Sequence, residues 1–267
     1  MTENWLNLEG NVVIVTGGSS GIGESIVKEL LELGVYTVNA DIHPGKTEHE
    51  NLLYIKTDVS SKADIDNLIK KVMEKYGKID GLVNNAGINI PKLLVDAKDT
   101  GSKYMADETA FDKMTSINQR GLFLISQAAG KVFVDQKHGG IVNMSSESGA
   151  EGSEGQSIYA ATKAALNSYT RSWAKELGKY NVRVVGVAPG IMEETGLRTI
   201  EYETALAYTR GITVEQLREG YSKTSTIPLN RSGKLSEVAD FVCYLLSEKA
   251  SYITGVTCNV AGGKTRG

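Results

Sequence analysis

The chain has 267 residues, 41% hydrophobic and 23% charged, an ordinary globular balance that can bury a core without disulfide or metal staples. Its net charge of −3 comes from interspersed signs with no basic stripe, which argues against nucleic acid as a partner. Two cysteines without CxxC spacing, three scattered histidines and no apolar run near the roughly 18 residues of a membrane span predict a reduced, cytoplasmic protein, with no signal peptide, membrane segment or metal site.

Short apolar, β-branched runs alternate with helical patterns from one end to the other. Strands are predicted at 12–16, 36–40, 53–56, 81–84, 141–145, 183–188 and 256–260. Helices are predicted at 21–33, 63–76, 109–135, 159–177 and 236–246, with Ser60 and Ser236 as N-caps of two of them. Val12-Val13-Ile14-Val15 is apolar on both faces, as a strand covered by helices on both sides must be. The pattern predicts one α/β domain over 1–267, a Rossmann-type, doubly wound parallel sheet of seven strands. Residues 98–107 are polar and read as a surface insertion. Residues 193–226 read as one or two short helices outside the sheet, placed to form a lid over a site at the carboxyl ends of the strands.

The first strand runs into Thr16-Gly17-Gly18-Ser19-Ser20-Gly21-Ile22-Gly23 and then a helix. Glycines there let the backbone turn tightly and approach a pyrophosphate, while the helix N-terminus offers free N–H groups. The glycines at 17, 21 and 23 depart from GxGxxG spacing. Asp41 ends the second strand 18 residues after Gly23, close to the roughly 20 at which an acidic residue grips the adenine ribose. A carboxylate there repels a 2′-phosphate, and Ser20 and Ile42 are not basic, so NAD is expected over NADP, with His43 and Lys46 the nearby basic groups. Gly45-Lys46-Thr47 and Gly263-Lys264-Thr265 echo a P-loop but lack its first glycine, and read as ordinary turns.

Tyr159 and Lys163 stand one helical turn apart on a shared face. A phenol titrates near pH 10, and a neighbouring cation lowers that value toward what proton transfer from an alcohol needs. Ser146, 13 residues before Tyr159, can hydrogen-bond the same substrate oxygen; Ser145 is the competing choice, and the spacing favours Ser146. Asn118 can hold a water for a proton relay from Lys163.

Taken with Asp58-Val59, Asn84-Asn85-Ala86-Gly87 and Pro189-Gly190, this set resembles the short-chain dehydrogenases/reductases over essentially the whole chain. The resemblance implies that Tyr159 is the acid/base, that Lys163 is its activator and a nicotinamide-ribose ligand, that Ser146 steadies the reacting oxygen, and that Asn118 anchors the relay water. It places Asp58 and Val59 at the adenine, and Asn85, Ala86 and Gly87 along the cofactor ribose. Pro189, Gly190 and Ile191 fall beside the nicotinamide, and Thr195 at its carboxamide or the diphosphate. It also implies homotetramers built in part on the helix bearing Leu166, Tyr169, Trp173 and Leu177, a stripe that packing on the sheet would equally explain.

Within that family, segments 145–156, 190–199 and 212–221, the Trp5-Leu6-Asn7-Leu8 start and the tail from Ala261 are similar to members acting on a phosphorylated polyol. That likeness implies NAD-dependent oxidation of the C2 hydroxyl of D-sorbitol 6-phosphate to the ketose D-fructose 6-phosphate. Glu147, Glu151 and Gln156 then either bind the polyol's other hydroxyls or simply line an exposed loop. Lys92 and Arg198 are the candidate cations for the phosphate. The rival readings are a reductase of another carbonyl, such as a 3-oxoacyl thioester or a free sugar, and a regulator that only senses NAD. Ser146, Tyr159 and Lys163 together speak against the regulator.

Overall fold

The structure, a computed structural model, describes residues 5–193, 195–196, 198–223 and 226–264. Positions 194, 197, 224 and 225 of the expected lid and 265–267 of the tail lie outside them. Seven strands form one parallel sheet: β1 (Val12–Thr16), β2 (Tyr36–Asp41), β3 (Leu52–Lys56), β4 (Gly81–Asn84), β5 (Gly139–Met144), β6 (Val182–Pro189) and β7 (Thr257–Val260). Their order is β3-β2-β1-β4-β5-β6-β7, all parallel. The chain winds one way from β1 and the other way from β4, so a crevice opens at the carboxyl ends of those two strands.

The helices follow in chain order: α1 (Gly21–Glu32), α2 (Lys62–Tyr76), α3 (Glu108–Thr115), α4 (Leu122–Gln136), α5 (Ser148–Glu151), α6 (Ser157–Leu177), α7 (Ile200–Thr209), α8 (Val214–Lys223) and α9 (Leu235–Leu246). Alternation along β1 sorts the core into two layers. Val13 and Val15 pack with Ile26 and Leu30 of α1 and Val238 and Val242 of α9. Val12 and Ile14 face Leu68 of α2, Ile125 and Phe133 of α4 and Ala174 of α6. Such double-sided burial is why the strands lack polar alternation.

Several boundaries depart from the sequence reading. The run 109–135 is not one helix: a π-helical turn, Ser116–Gly121, separates α3 from α4, and the Asn118 side chain there is bonded to the backbone of Ile88 instead of facing solvent. Ser61, not Ser60, caps α2 by accepting the Asp64 N–H, because the Ser60 N–H and hydroxyl both turn back to Asp58. The cap of α9 is Lys234, not Ser236, and its N–H is satisfied by the Glu237 carboxylate at 2.7 Å. The polar stretch 98–107 is only partly a surface feature. It returns to pair Leu93 with Met105, and the neighbouring Asp96 is 1% exposed and accepts the Tyr208 hydroxyl of α7 at 2.7 Å.

A buried polar rod ties the sheet to the layer of α4 and α6. Asn84 and Asn143, register partners on β4 and β5, hydrogen-bond through their side chains at 2.8 Å. Asn84 also donates to Ser126 of α4 and Asn143 to Thr170 of α6. This fixes α4 and α6 against the central strand ends, where the site lies. At the opposite end of β5 the Phe133 ring lies so near Gly139 that a Cβ there would come within 2.4 Å of it. Phe133→Ala, which empties this buried position, is expected to lower the unfolding free energy by about 3–5 kcal/mol, measured by urea denaturation.

Candidate active site

The glycine turn between β1 and α1 has the conformation its residues suggest. Gly17 and Gly21 have φ of +64° and +56°, a region that side chains with a Cβ avoid. Gly23 starts the helix so close to the turn that a Cβ would lie 2.0 Å from the Gly17 carbonyl oxygen. Asn85 braces the loop by donating to the carbonyls of Thr16 and Gly17, while the Thr16 hydroxyl accepts the N–H groups of Asn85 and Ala86. Ser20 caps α1 without a side-chain bond, which leaves the first-turn N–H groups to an anion.

From this turn a cleft of about 580 Å³ runs along the strand ends. One end is lined by Gly17, Ser20, Gly21, Ile22, Asp41, Asp58, Val59, Ala86 and Gly87; Asn85 also borders the cleft. The Asp41 carboxylate accepts the N–H of Ser19 on one oxygen and of His43 on the other, and each oxygen keeps a lone pair for a further donor. Pro189, Gly190, Ile191 and Thr195 form the middle of the wall. Thr195 lies against the glycine turn, within 3.4 Å of where a Cβ on Gly21 would stand. The glycine-lined floor, the open helix N-terminus and the carboxylate at the end of β2 together suit a dinucleotide.

At the other end, α6 sets Tyr159 near Ser146, close enough for the serine to pull the phenol's pKa down; the Ser146 hydroxyl itself accepts the Ser148 N–H and hydroxyl. Ser145 points the other way and donates to the Lys163 carbonyl, so it is Ser146, past the end of β5, that meets the tyrosine. Lys163 is 5% exposed, donates to the Met144 carbonyl at 2.7 Å, and lies 5.6 Å from the Tyr159 ring centre. Gly87 borders both groups: a Cβ there would stand 3.6 Å from Lys163 Nζ and 3.4 Å from Asn118 Oδ1, at ordinary contact distance. Asn118 is buried, and its amide donates to Ile88 and Thr162.

The electrostatics differ from the simple expectation that a lysine pulls the phenol down. Burial pushes Tyr159 up, Ser146 draws it down and Glu147 pushes it up again. Burial also brings Lys163 down to about 8. Desolvation is the leading cause of both shifts, and the ammonium is turned onto the Met144 carbonyl.

Among the polar candidates, Glu147, Glu151 and Gln156 line the cleft. Gln156 donates to the Tyr202 hydroxyl at 2.8 Å, and Glu147 is paired with Lys264 at 2.5 Å. Lys92 does not reach the cleft. Its ammonium is held on the far side of the 93–105 turn by the Lys103 carbonyl and Asp107, an anchor for the insertion. Arg198 lines the cleft, donating to the Met192 carbonyl and stacked 4.1 Å over Tyr221. Sequence reasoning missed Tyr202, Arg210, Tyr221 and Lys264, all in the wall. The spacing of Tyr202, Leu206 and Arg210 at i, i+4 and i+8 was an available signal for the first two named on α7. Lys264, discounted as a turn residue, gave none.

With this geometry in view, comparison with known proteins is informative. The family described as short chain dehydrogenase matches residues 11–205. A sorbitol-6-phosphate 2-dehydrogenase of Klebsiella pneumoniae is 63% identical over 267 residues, covering 99% of this chain and all of that protein. A 3-oxoacyl-[acyl-carrier-protein] reductase of Thermotoga maritima is 35% identical, covering 97% and 99%. Among solved structures, the ligand-free aldohexose dehydrogenase of Thermoplasma acidophilum superposes with a TM-score of 0.83 at 28% identity over 97% of this chain and 95% of that one. The NADH complex of a Brucella melitensis 3-ketoacyl-(acyl-carrier-protein) reductase gives 0.81 at 28%, covering 97% and 100%. The chain belongs to the short-chain dehydrogenase family. Among the described residues no helix is long and apolar enough to cross a membrane.

The buried ammonium carries a stability cost with a defined pH window. Lys163 falls from 10.5 to about 8 on folding, so between those values the unfolded chain holds more protons and stability rises with pH. Below pH 8 the full cost is present. Lys163→Met is therefore expected to unfold at a higher temperature than the parent at pH 7, by up to about 3 kcal/mol. The gap closes as pH rises from 8 to 10.5, which calorimetry at several pH values would read.

Proposed function

We propose that this chain is an NAD-dependent dehydrogenase that reversibly oxidises the C2 hydroxyl of D-sorbitol 6-phosphate to D-fructose 6-phosphate. The observation that carries the chemistry is the convergence of Ser146, Tyr159 and Lys163 at one end of a cleft whose other end is a glycine turn with Asp41 behind it. The substrate rests on the 63% identity, over the full length of both chains, to a sorbitol-6-phosphate 2-dehydrogenase. The 3-oxoacyl reductase at 35% is a more distant relative, so reduction of an acyl thioester is the weaker reading.

A nicotinamide cofactor fits the cleft as described, and a family relative has been solved with NADH. When bound, the oxidised nicotinamide ring takes the hydride and brings a positive charge that favours the phenolate. Gly17, Ser20, Gly21, Ile22 and Gly23 would face the diphosphate, with Thr195 across from them. Asp58 and Val59 would take the adenine, Asn85, Ala86 and Gly87 the ribose, and Pro189, Gly190 and Ile191 the nicotinamide side. Asp41 would accept the adenine ribose hydroxyls and repel a 2′-phosphate, the basis for NAD over NADP.

In the oxidation, Ser146 would donate to the C2 oxygen while Tyr159, as phenolate, takes its proton. The proton taken up by Tyr159 would then leave outward past Lys163 to a relay water, restoring the phenolate, and Asn118, whose side chain is spent on Ile88 and Thr162, would hold that water with its main-chain carbonyl. Glu147, Glu151 and Gln156 would meet the remaining hydroxyls. Of the two cations expected to meet the phosphate, Arg198 alone faces the cleft. Residues 193–226 would form a lid on a single domain. Homotetramers would use α4 and α6, where Phe123 of α4 is 40% exposed.

Steady-state NADH formation with sorbitol 6-phosphate, sorbitol and a 3-oxoacyl thioester, each with both cofactors, tests the assignment; turnover of the thioester alone would defeat it. Tyr159→Phe is expected to lower kcat by about 10³-fold while NADH still binds, as followed by its fluorescence. Asp41→Ser is expected to reduce the NAD over NADP preference in kcat/KM by about tenfold or more.

A further inference from the structure

Several cations near the cleft or on the lid are held by carboxylates. Arg218 pairs with Glu203 at 2.6 Å, Arg231 with Glu237 and Lys264 with Glu147. Arg198 and Arg210 line the same cleft, and neither has a carboxylate partner among the described residues. The two do not have equal places. Arg198 sits one turn beyond Thr195 and Gly196, which lie against Gly21 and Ser20, and its guanidinium is already engaged by Met192 and the Tyr221 ring. It is on the cofactor side.

Arg210 is at the other end of α7, next to the loop that leads into Tyr159. Among the described residues its guanidinium makes one hydrogen bond, a long one of 3.4 Å to the Ser153 hydroxyl, which leaves most of its five donors for a ligand. Its position is tightly fixed. Thr209 packs on Gly155 so closely that a Cβ there would lie 2.1 Å from the threonine hydroxyl. Tyr208 is bonded to Asp96 and Tyr202 to Gln156. Tyr202, two turns before Arg210 on the same helix face, lines the cleft with both Tyr159 and Arg210 and feels both electrostatically.

We propose that Arg210, with Ser153 beside it, binds the phosphate of the substrate and sets the preference for a phosphorylated over a free polyol. This rests on the sorbitol 6-phosphate reading and adds to it the group that enforces it. In an extended hexitol the phosphorus lies roughly 7 Å from C2, from covalent bond lengths alone, so with C2 at Tyr159 the phosphate needs a cation elsewhere in the same cleft, which Arg210 lines. A guanidinium is the side chain best shaped to grip it, through two parallel hydrogen bonds.

The test compares kcat/KM for sorbitol 6-phosphate and for sorbitol in the parent, Arg210→Ala, Arg210→Lys and Arg218→Ala, with thermal melts as folding controls. In the parent the phosphorylated substrate is preferred. Arg210→Ala is expected to reduce the ratio about 10- to 100-fold, through KM for the phosphorylated substrate, with Arg210→Lys intermediate and Arg218→Ala at the parent value. An unchanged ratio in Arg210→Ala, or an equal loss in Arg218→Ala, overturns the assignment. Inorganic phosphate supplies a separate readout. It should raise the melting temperature of the NADH-bound parent more than that of Arg210→Ala, and equal shifts overturn the anion site. A parent that ignores sorbitol 6-phosphate yet shows the Arg210-dependent phosphate shift would sink the substrate reading and keep the site.

Discussion

Everything at the reacting end of the cleft is positioned by one buried contact, the Lys163 ammonium on the Met144 carbonyl. Met144 is the last residue of β5 and Lys163 lies one turn into α6 after Tyr159. The contact therefore sets the distance between helix and strand at the point where Ser146 leaves the sheet and Tyr159 arrives over it. It is made at the expense of solvation, since the ammonium is almost fully enclosed and its pKa falls to about 8. A neutral side chain would pack there more cheaply, so the charge belongs to chemistry.

The buried asparagines behind it serve the same alignment. Asn84 and Asn143 link β4 to β5, and through Ser126 and Thr170 they hold the helices on either side. A polar core of this kind has few alternative ways to pair its amide donors, which favours one register of α6 over its neighbours. The π-helical turn at Asn118 works locally in the same way. It brings a side-chain amide onto the Ile88 backbone, so the segment after Gly87 is tied to the helix that passes over Lys163.

Much of this was legible from the chain itself, for identifiable reasons. Strand positions followed from β-branched runs buried on both faces, and the glycine turn and Asp41 from spacing that phosphate and ribose chemistry require. Tyr159 and Lys163 followed from helical periodicity. The family, once named, correctly carried the fold. What escaped was set by tertiary contacts that have no local signature. The break at 116–121 depends on a partner at Ile88, and Lys92 is withdrawn by a turn formed between Leu93 and Met105. The caps moved by one or two residues because Asp58 takes up the Ser60 N–H and Glu237 the Lys234 N–H. The sign of the Tyr159 shift depends on burial, which a helix-face argument does not contain.

The insertion around Asp96 changes how α7 must be regarded. A carboxylate that is 1% exposed and satisfied by the Tyr208 hydroxyl, beneath a ring pair of Tyr104 and Tyr208 with centres 4.2 Å apart, makes one unit of two segments distant in the chain. Exchanging the 200–210 helix with that of a relative, in order to alter which sugar is accepted, would leave this buried acid with the Lys98 N–H on Oδ1 but without the hydroxyl donor on Oδ2. Grafts meant to change substrate range therefore need to carry 88–107 along with the helix, and the two segments are best treated as a single exchangeable cassette.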